Sequence, residues 1–147
     1  MSGHDQIEPA RELSSEERAL LEYMIGLVPS GRDELTQQAA TARVSATCSC
    51  GCGTYDLVVD PAAPIAPEPS TPAADAVGSG DDHPLEVLLF AREGRLGCVE
   101  IVRYGDVDPG KPLPTPSELE QARWSDPDEA GTRRLLNPPE HPAAEQT

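Results

Sequence analysis

The segments Leu85–Arg92 and Arg95–Tyr104 flank the two-residue turn Glu93-Gly94, and no other feature constrains the fold of this chain as strongly. Each segment is rich in Leu, Val and Ile, and so short a connection between such runs marks an antiparallel hairpin. A regular register sets Arg92 opposite Arg95 and Leu88 opposite Val99. One face then carries Leu85, Val87, Leu89, Leu96, Cys98, Val102 and Tyr104, and the other Leu88, Phe90, Val99 and Ile101. Both faces are largely apolar, so the hairpin is expected at the centre of a sheet and covered on both sides.

Upstream, Leu13-Ser14-Ser15-Glu16-Glu17 reads as a helix start, with Ser14 and Glu17 spaced as a capping box. Leu20, Leu21, Met24, Leu27 and Val28 follow at helical spacing and form one apolar stripe. Val28-Pro29-Ser30-Gly31 ends this helix, and a second runs from Arg32 to about Ala40, capped by Ser30, with Leu35 and Ala39 inward. The period then changes. Val44, Ala46, Cys48 and Cys50 alternate with Arg43, Ser45, Thr47 and Ser49, while Tyr55, Leu57 and Val59 alternate on a returning strand. This pattern points Cys48 and Cys50 towards the core and assigns the bend to Gly51 and Gly53.

Length favours one domain. Residues 1–12 read as a disordered leader, 13–124 as a single α+β domain and 125–147 as a disordered tail. Residues 61–84, rich in Pro, Gly and acids, read as a flexible insertion. Thr115-Pro116-Ser117-Glu118 starts a short helix through Arg123, and Leu113, Leu119 and Trp124 are the tail's anchors. The expected fold is two N-terminal helices packed on a four-stranded, mostly antiparallel sheet with a Pro-rich insertion.

Twenty-six acids against eleven Lys and Arg give a formal charge of −15. The excess lies in the helices, the insertion and the tail, whereas residues 85–104 balance three acids against three arginines. Such a field repels phosphate backbones and disfavours nucleic acid, while it speeds encounter with a basic protein. No apolar run approaches the length of a membrane span, and the N-terminus lacks a signal-peptide pattern. A cytoplasmic location with reduced thiols is expected.

Three of the four cysteines, Cys48, Cys50 and Cys52, fall within six residues. The stretch reads as a packed turn at the end of a sheet, as a thiolate metal site or as a thiol-exchange site. The C-x-C-x-C spacing is narrower than the usual zinc pair, so three sulfurs meet one ion only if the turn curls. Cys98, His83 or an acid would supply a fourth ligand, and zinc is the metal that such a set implies. No Cys-x-x-Cys is present. Catalysis has little support: His4, His83 and His141 lie in segments read as flexible, Glu100 reads as an edge or paired acid, and Asp106 and Asp108 as turn residues. No catalytic residue is assigned and no enzyme is expected.

Cys48-Ser-Cys-Gly-Cys52 between strands, together with Gly94-Arg-Leu-Gly-Cys-Val-Glu-Ile-Val-Arg-Tyr-Gly-Asp106, resembles a group of small uncharacterised bacterial proteins over residues 13–120. The glycine–leucine–acid strand is also similar to parts of immunity-type proteins that neutralise toxins. The expected function is a non-enzymatic module that binds a protein partner, for which the charge favours a basic one and the immunity-type resemblance gives a concrete form. The alternative is a thiolate metal-binding protein using Cys48, Cys50, Cys52 and Cys98.

Overall fold

The computed structural model describes residues 4–67, 70–78, 83–105 and 111–139. The elements are β1 (His4–Glu12), α1 (Ser15–Gly26), α2 (Arg32–Thr41), β2 (Arg43–Cys48), β3 (Tyr55–Val58), β4 (Ala74–Gly78), β5 (Leu85–Arg92), β6 (Arg95–Arg103), a single 3₁₀ turn (Pro116–Glu118) and β7 (Leu119–Gln121). The strands form one antiparallel sheet in the order β1-β2-β3-β6-β5-β4-β7. The fold is α+β, but the sheet has seven strands rather than four. No helix among the described residues is long and apolar enough to cross a membrane.

The three additional strands come from segments that read as leader, as insertion and as a short helix after Thr115. β1 is short of apolar residues, but its backbone pairs with β2 and its end is tied to α1. Arg11 donates from both terminal nitrogens to the Glu17 carboxylate at 2.8 and 2.9 Å. Burial pushes the Glu17 carboxyl up, yet Arg11 and Ser14 together hold it below the ordinary range. β4 contains Ala74, Ala76 and Val77, small enough to read as linker and all buried once β5 lies beside them. β7 replaces most of the expected helix after Thr115. The Thr115–Glu118 capping box closes one 3₁₀ turn, after which Leu119–Gln121 pairs with β4.

α1 begins as expected, with Glu17 N–H donating to Ser14 Oγ and Ser14 N–H to the Glu17 carboxylate. α2 is capped by Gly31 in the left-handed region (φ 86°), not by Ser30. Both helices cover one face of the sheet, burying Leu20, Leu21, Met24, Leu35 and Ala39 against Tyr55, Leu85, Val87, Leu89, Val99 and Ile101. Tyr55 is fully buried, and its hydroxyl donates to Glu17 O at 2.7 Å. Among the described residues no helix lies over the opposite face.

The central hairpin departs from regular register by one residue. Arg92 pairs with Arg95 and Ala91 with Leu96, but Phe90 then pairs with Cys98 and Leu89 with Val99. Gly97 is the extra residue of a β-bulge, and past a bulge every side chain changes face. Val99 and Ile101 therefore join Leu85, Val87 and Leu89 under the helices, while Cys98 leaves that face and stands with Leu88 and Phe90. The hairpin is central as expected, but only one of its faces carries helices.

Gln38 fastens the helical layer to this hairpin. It is fully buried, and its Nε2 donates to Pro64 O and Gly94 O, both at 2.8 Å. Its Oε1 accepts from Leu96 N at 2.8 Å. Gly94 O also accepts from Ala66 N at 3.0 Å, so the turn, α2 and the start of the insertion share one knot. Each bond contributes about 1 kcal/mol, and an abandoned buried partner costs at least that again. Gln38→Leu should therefore lower unfolding stability by about 3 kcal/mol or more, read as a lower urea midpoint at unchanged slope.

The tail is held at the other end of the sheet. Ala122 N donates to Asp75 O at 2.8 Å and Trp124 Nε1 to Asp75 Oδ2 at 3.1 Å, while Leu135 bridges back to Trp124. The Tyr104 hydroxyl donates to Glu86 Oε1 at 2.9 Å. Burial, then hydrogen bonding and repulsion from Glu86, push the Asp75 carboxyl up to about 7 against the pull of Trp124. A value raised above that of the unfolded chain means the folded state binds the proton more tightly, so this contribution is present at low pH and lost as pH rises through about 7. The thermal midpoint should fall between about pH 5 and pH 8, and Asp75→Asn should flatten that part of the profile.

Candidate functional site

The hairpin that joins β2 to β3 curls at its tip. Cys48 N donates to Thr54 O at 3.1 Å and Gly51 N to Cys48 O at 3.3 Å, which closes the loop on itself. Gly51 and Gly53 have φ of 81° and 102°, a region that side-chain-bearing residues rarely adopt. A β-carbon at Gly53 would also meet Leu113 Cδ2 at 2.7 Å, so this glycine admits the segment that lies across the loop. Cys50 is carried out to an exposed position and Cys48 and Cys52 are half-buried, rather than packed inward behind Ala46.

The curl brings three thiols together. The ligand atoms of Cys48, Cys50 and Cys52 all lie within 4.8 Å of one another, the one such group of three or more among the described residues. The Cys48 and Cys50 sulfurs are 2.9 Å apart, and all four cysteines are free. Zinc–sulfur bonds of about 2.3 Å at the tetrahedral angle place sulfurs about 3.8 Å apart. The Cys48 and Cys50 sulfurs would have to part by about 1 Å to reach that spacing.

The protons are unevenly held. Hydrogen bonding with Cys50 is the main cause that pushes the Cys48 thiol up to about 11. Burial also raises Cys52, but hydrogen bonds from Thr54, Cys50 and Cys48 outweigh it and lower that thiol. Cys52 is thus easier to deprotonate than Cys48. Thr54, which the sequence analysis did not single out, fixes this end of the site. It is buried, its Oγ1 lies 3.2 Å from Cys52 Sγ, and it accepts from Ile101 N at 2.9 Å, tying the loop to β6. The buried-polar role of a lone Thr after a glycine turn has no local sequence signal.

Cys98 and His83 are not members of the group. The bulge at Gly97 sets Cys98 opposite Asp56, and burial, followed by Asp56, pushes its thiol up to about 12. His4 lies in β1 with Nδ1 2.8 Å from Asp56 Oδ2, a partner its expected place in a leader did not suggest. Glu100 is half-buried on the face with Cys98, opposite Leu88. Asp106, Asp108 and His141 lie outside the described residues.

With iodoacetamide at neutral pH, Cys98 should alkylate about 10–100-fold more slowly than Cys52, since its lower thiolate fraction is only partly offset by higher intrinsic nucleophilicity. Peptide mass spectrometry over time reads the order directly. Comparison with protein-family models, with curated proteins and with solved structures returned no match.

Proposed function

We propose that the protein binds a thiophilic metal ion through Cys48, Cys50 and Cys52. The convergence of three free thiols on a glycine-curled turn is the observation that carries this reading. Thiolates select zinc and copper(I) among common metals, and three of them leave one position of a tetrahedral ion open. Cys52 supplies a more readily formed thiolate than Cys48, and binding the ion displaces the remaining thiol protons. The site acts by binding, without a catalytic residue of its own.

A basic protein partner is the second reading, and the half-buried acids on the helix-free face support it. Asp56, Glu86 and Glu100 surround Leu88 and Phe90 there, in a chain of net charge −15. The immunity-type resemblance gives this reading its concrete form. A basic protein that co-purifies at low salt and dissociates at high salt supports it, and a monodisperse lone chain at low salt contradicts it.

Titration of the reduced protein with cobalt(II) and zinc(II) should give one equivalent bound, with a sulfur-to-cobalt charge-transfer band that zinc abolishes. Cys50→Ser should weaken binding by more than about 100-fold, beyond the 10–100-fold typical of changes one shell further out. Cys98→Ser should leave affinity within about twofold. Affinity should fall as pH is lowered, because the ion must displace thiol protons. Binding of less than about a tenth of an equivalent by the untagged chain would remove the proposal.

A further inference from the structure

The ladder between β3 and β6 runs for only two residue pairs, Tyr55 with Val99 and Asp56 with Cys98. Beyond it, at the bulge, the strands part, and a cavity of about 740 Å³ opens beside the tip of the central hairpin. Asp56, Leu57, Phe90, Arg92, Glu93 and Arg95 are among the residues that line it, with Cys98 beside them. This volume lies within the range of small-molecule sites, which combine apolar walls with a few convergent polar groups.

Two acids, Asp56 and Glu93, balance two arginines in this lining, and what sets the cleft apart is that the arginines are unpaired among the described residues. Arg92 and Arg95 are directly opposite across the turn, and like charges so placed destabilise a hairpin. Neither guanidinium has a hydrogen bond or ion pair among the described residues, in a chain with more than twice as many acids as bases. The nearby Asp56 is engaged by His4 at 2.8 Å and by Cys98. The tip that carries the two arginines is also pinned by its surroundings. Glu93 and Gly94 have φ of 54° and 78°, Gly94 sits against Ile65 and Ala66, and Gln38 holds the backbone on both sides. A like-charge pair held on a pinned turn, with neither arginine bonded to Asp56 or Glu93, is the kind of local cost that proteins retain at binding sites.

We infer that this cleft binds a small molecule with an oxyanion head group, carboxylate or phosphate, on an apolar body. Arg92 and Arg95 hold the head group, since the planar guanidinium fork matches both oxyanions. Leu57 and Phe90 receive the apolar body. Cys98 keeps its proton and contributes a neutral wall. The site is separate from the three-thiol group and does not depend on it.

Titration of the full chain with phenyl phosphate, benzoate and benzyl alcohol, followed by amide chemical shifts, tests this inference. Phenyl phosphate or benzoate should shift the amides of Leu57 and of Phe90–Cys98, with a dissociation constant of about 1 mM, as suits a ligand of about ten heavy atoms. Whichever anion is tighter assigns the head group. Benzyl alcohol should bind at least tenfold more weakly. Arg92→Gln, at an exposed position, should weaken the anion by about tenfold, and Arg92→Gln with Arg95→Gln should abolish saturation. Neither variant should lower the urea midpoint, because no partner is lost, and relief of the repulsion should leave it equal to or slightly above that of the parent. Equal binding of the alcohol, unchanged affinity in the arginine variants, or shifts scattered away from the hairpin tip would each overturn it.

Discussion

The buried amide of Gln38 is the interaction on which the arrangement of layers depends. Helix–sheet packing through Leu, Val and Ala is non-directional and tolerates sliding. A primary amide with three satisfied bonds to Pro64, Gly94 and Leu96 does not. It fixes α2 over the tip of the central hairpin, seats the first half of the insertion against that tip, and so positions Arg92 and Arg95. The same group that orders the core frames the cleft at its edge.

A second constraint acts within the sheet. The single extra residue at Gly97 turns Val99 and Ile101 into the core and Cys98 out of it. Without that slip, Cys98 would share a face with Leu89 beneath the helices. With it, Cys98 stands opposite Asp56 and keeps its proton, and the thiols of the β2–β3 turn are left to act as a group of three. The bulge also ends the β3–β6 ladder after two pairs and opens the neighbouring cavity.

What the sequence revealed was what local chemistry decides. The Ser14–Glu17 capping box, the Leu20–Met24 stripe and the Glu93-Gly94 turn each depend on residues a few positions apart, and each lies where the pattern placed it. β1, β4 and β7 carry almost no apolar alternation, because they become strands through ladder bonds, the Arg11–Glu17 pair and small buried alanines contributed by distant partners. The bulge was illegible for a related reason: a turn sets register only as far as the first irregularity, and Gly97 resembles any glycine in a strand. At the candidate site, the residue types and the need for a curled turn were readable. The exposure of Cys50, the exclusion of Cys98 and the anchoring by Thr54 were not, since all three follow from how β3 meets β6.

The fold thus divides the chain's four thiols into a group of three on a glycine turn and a single thiol in a cleft. Its central claim is that the first three alone form a metal site. X-ray absorption at the zinc edge of the one-to-one complex tests it most directly. The account predicts a shell of three sulfurs at about 2.3 Å with one lighter oxygen or nitrogen ligand at about 2.0 Å, unchanged in Cys98→Ser. A shell of nitrogen and oxygen alone, or a four-sulfur shell that loses one sulfur in Cys98→Ser, would contradict it.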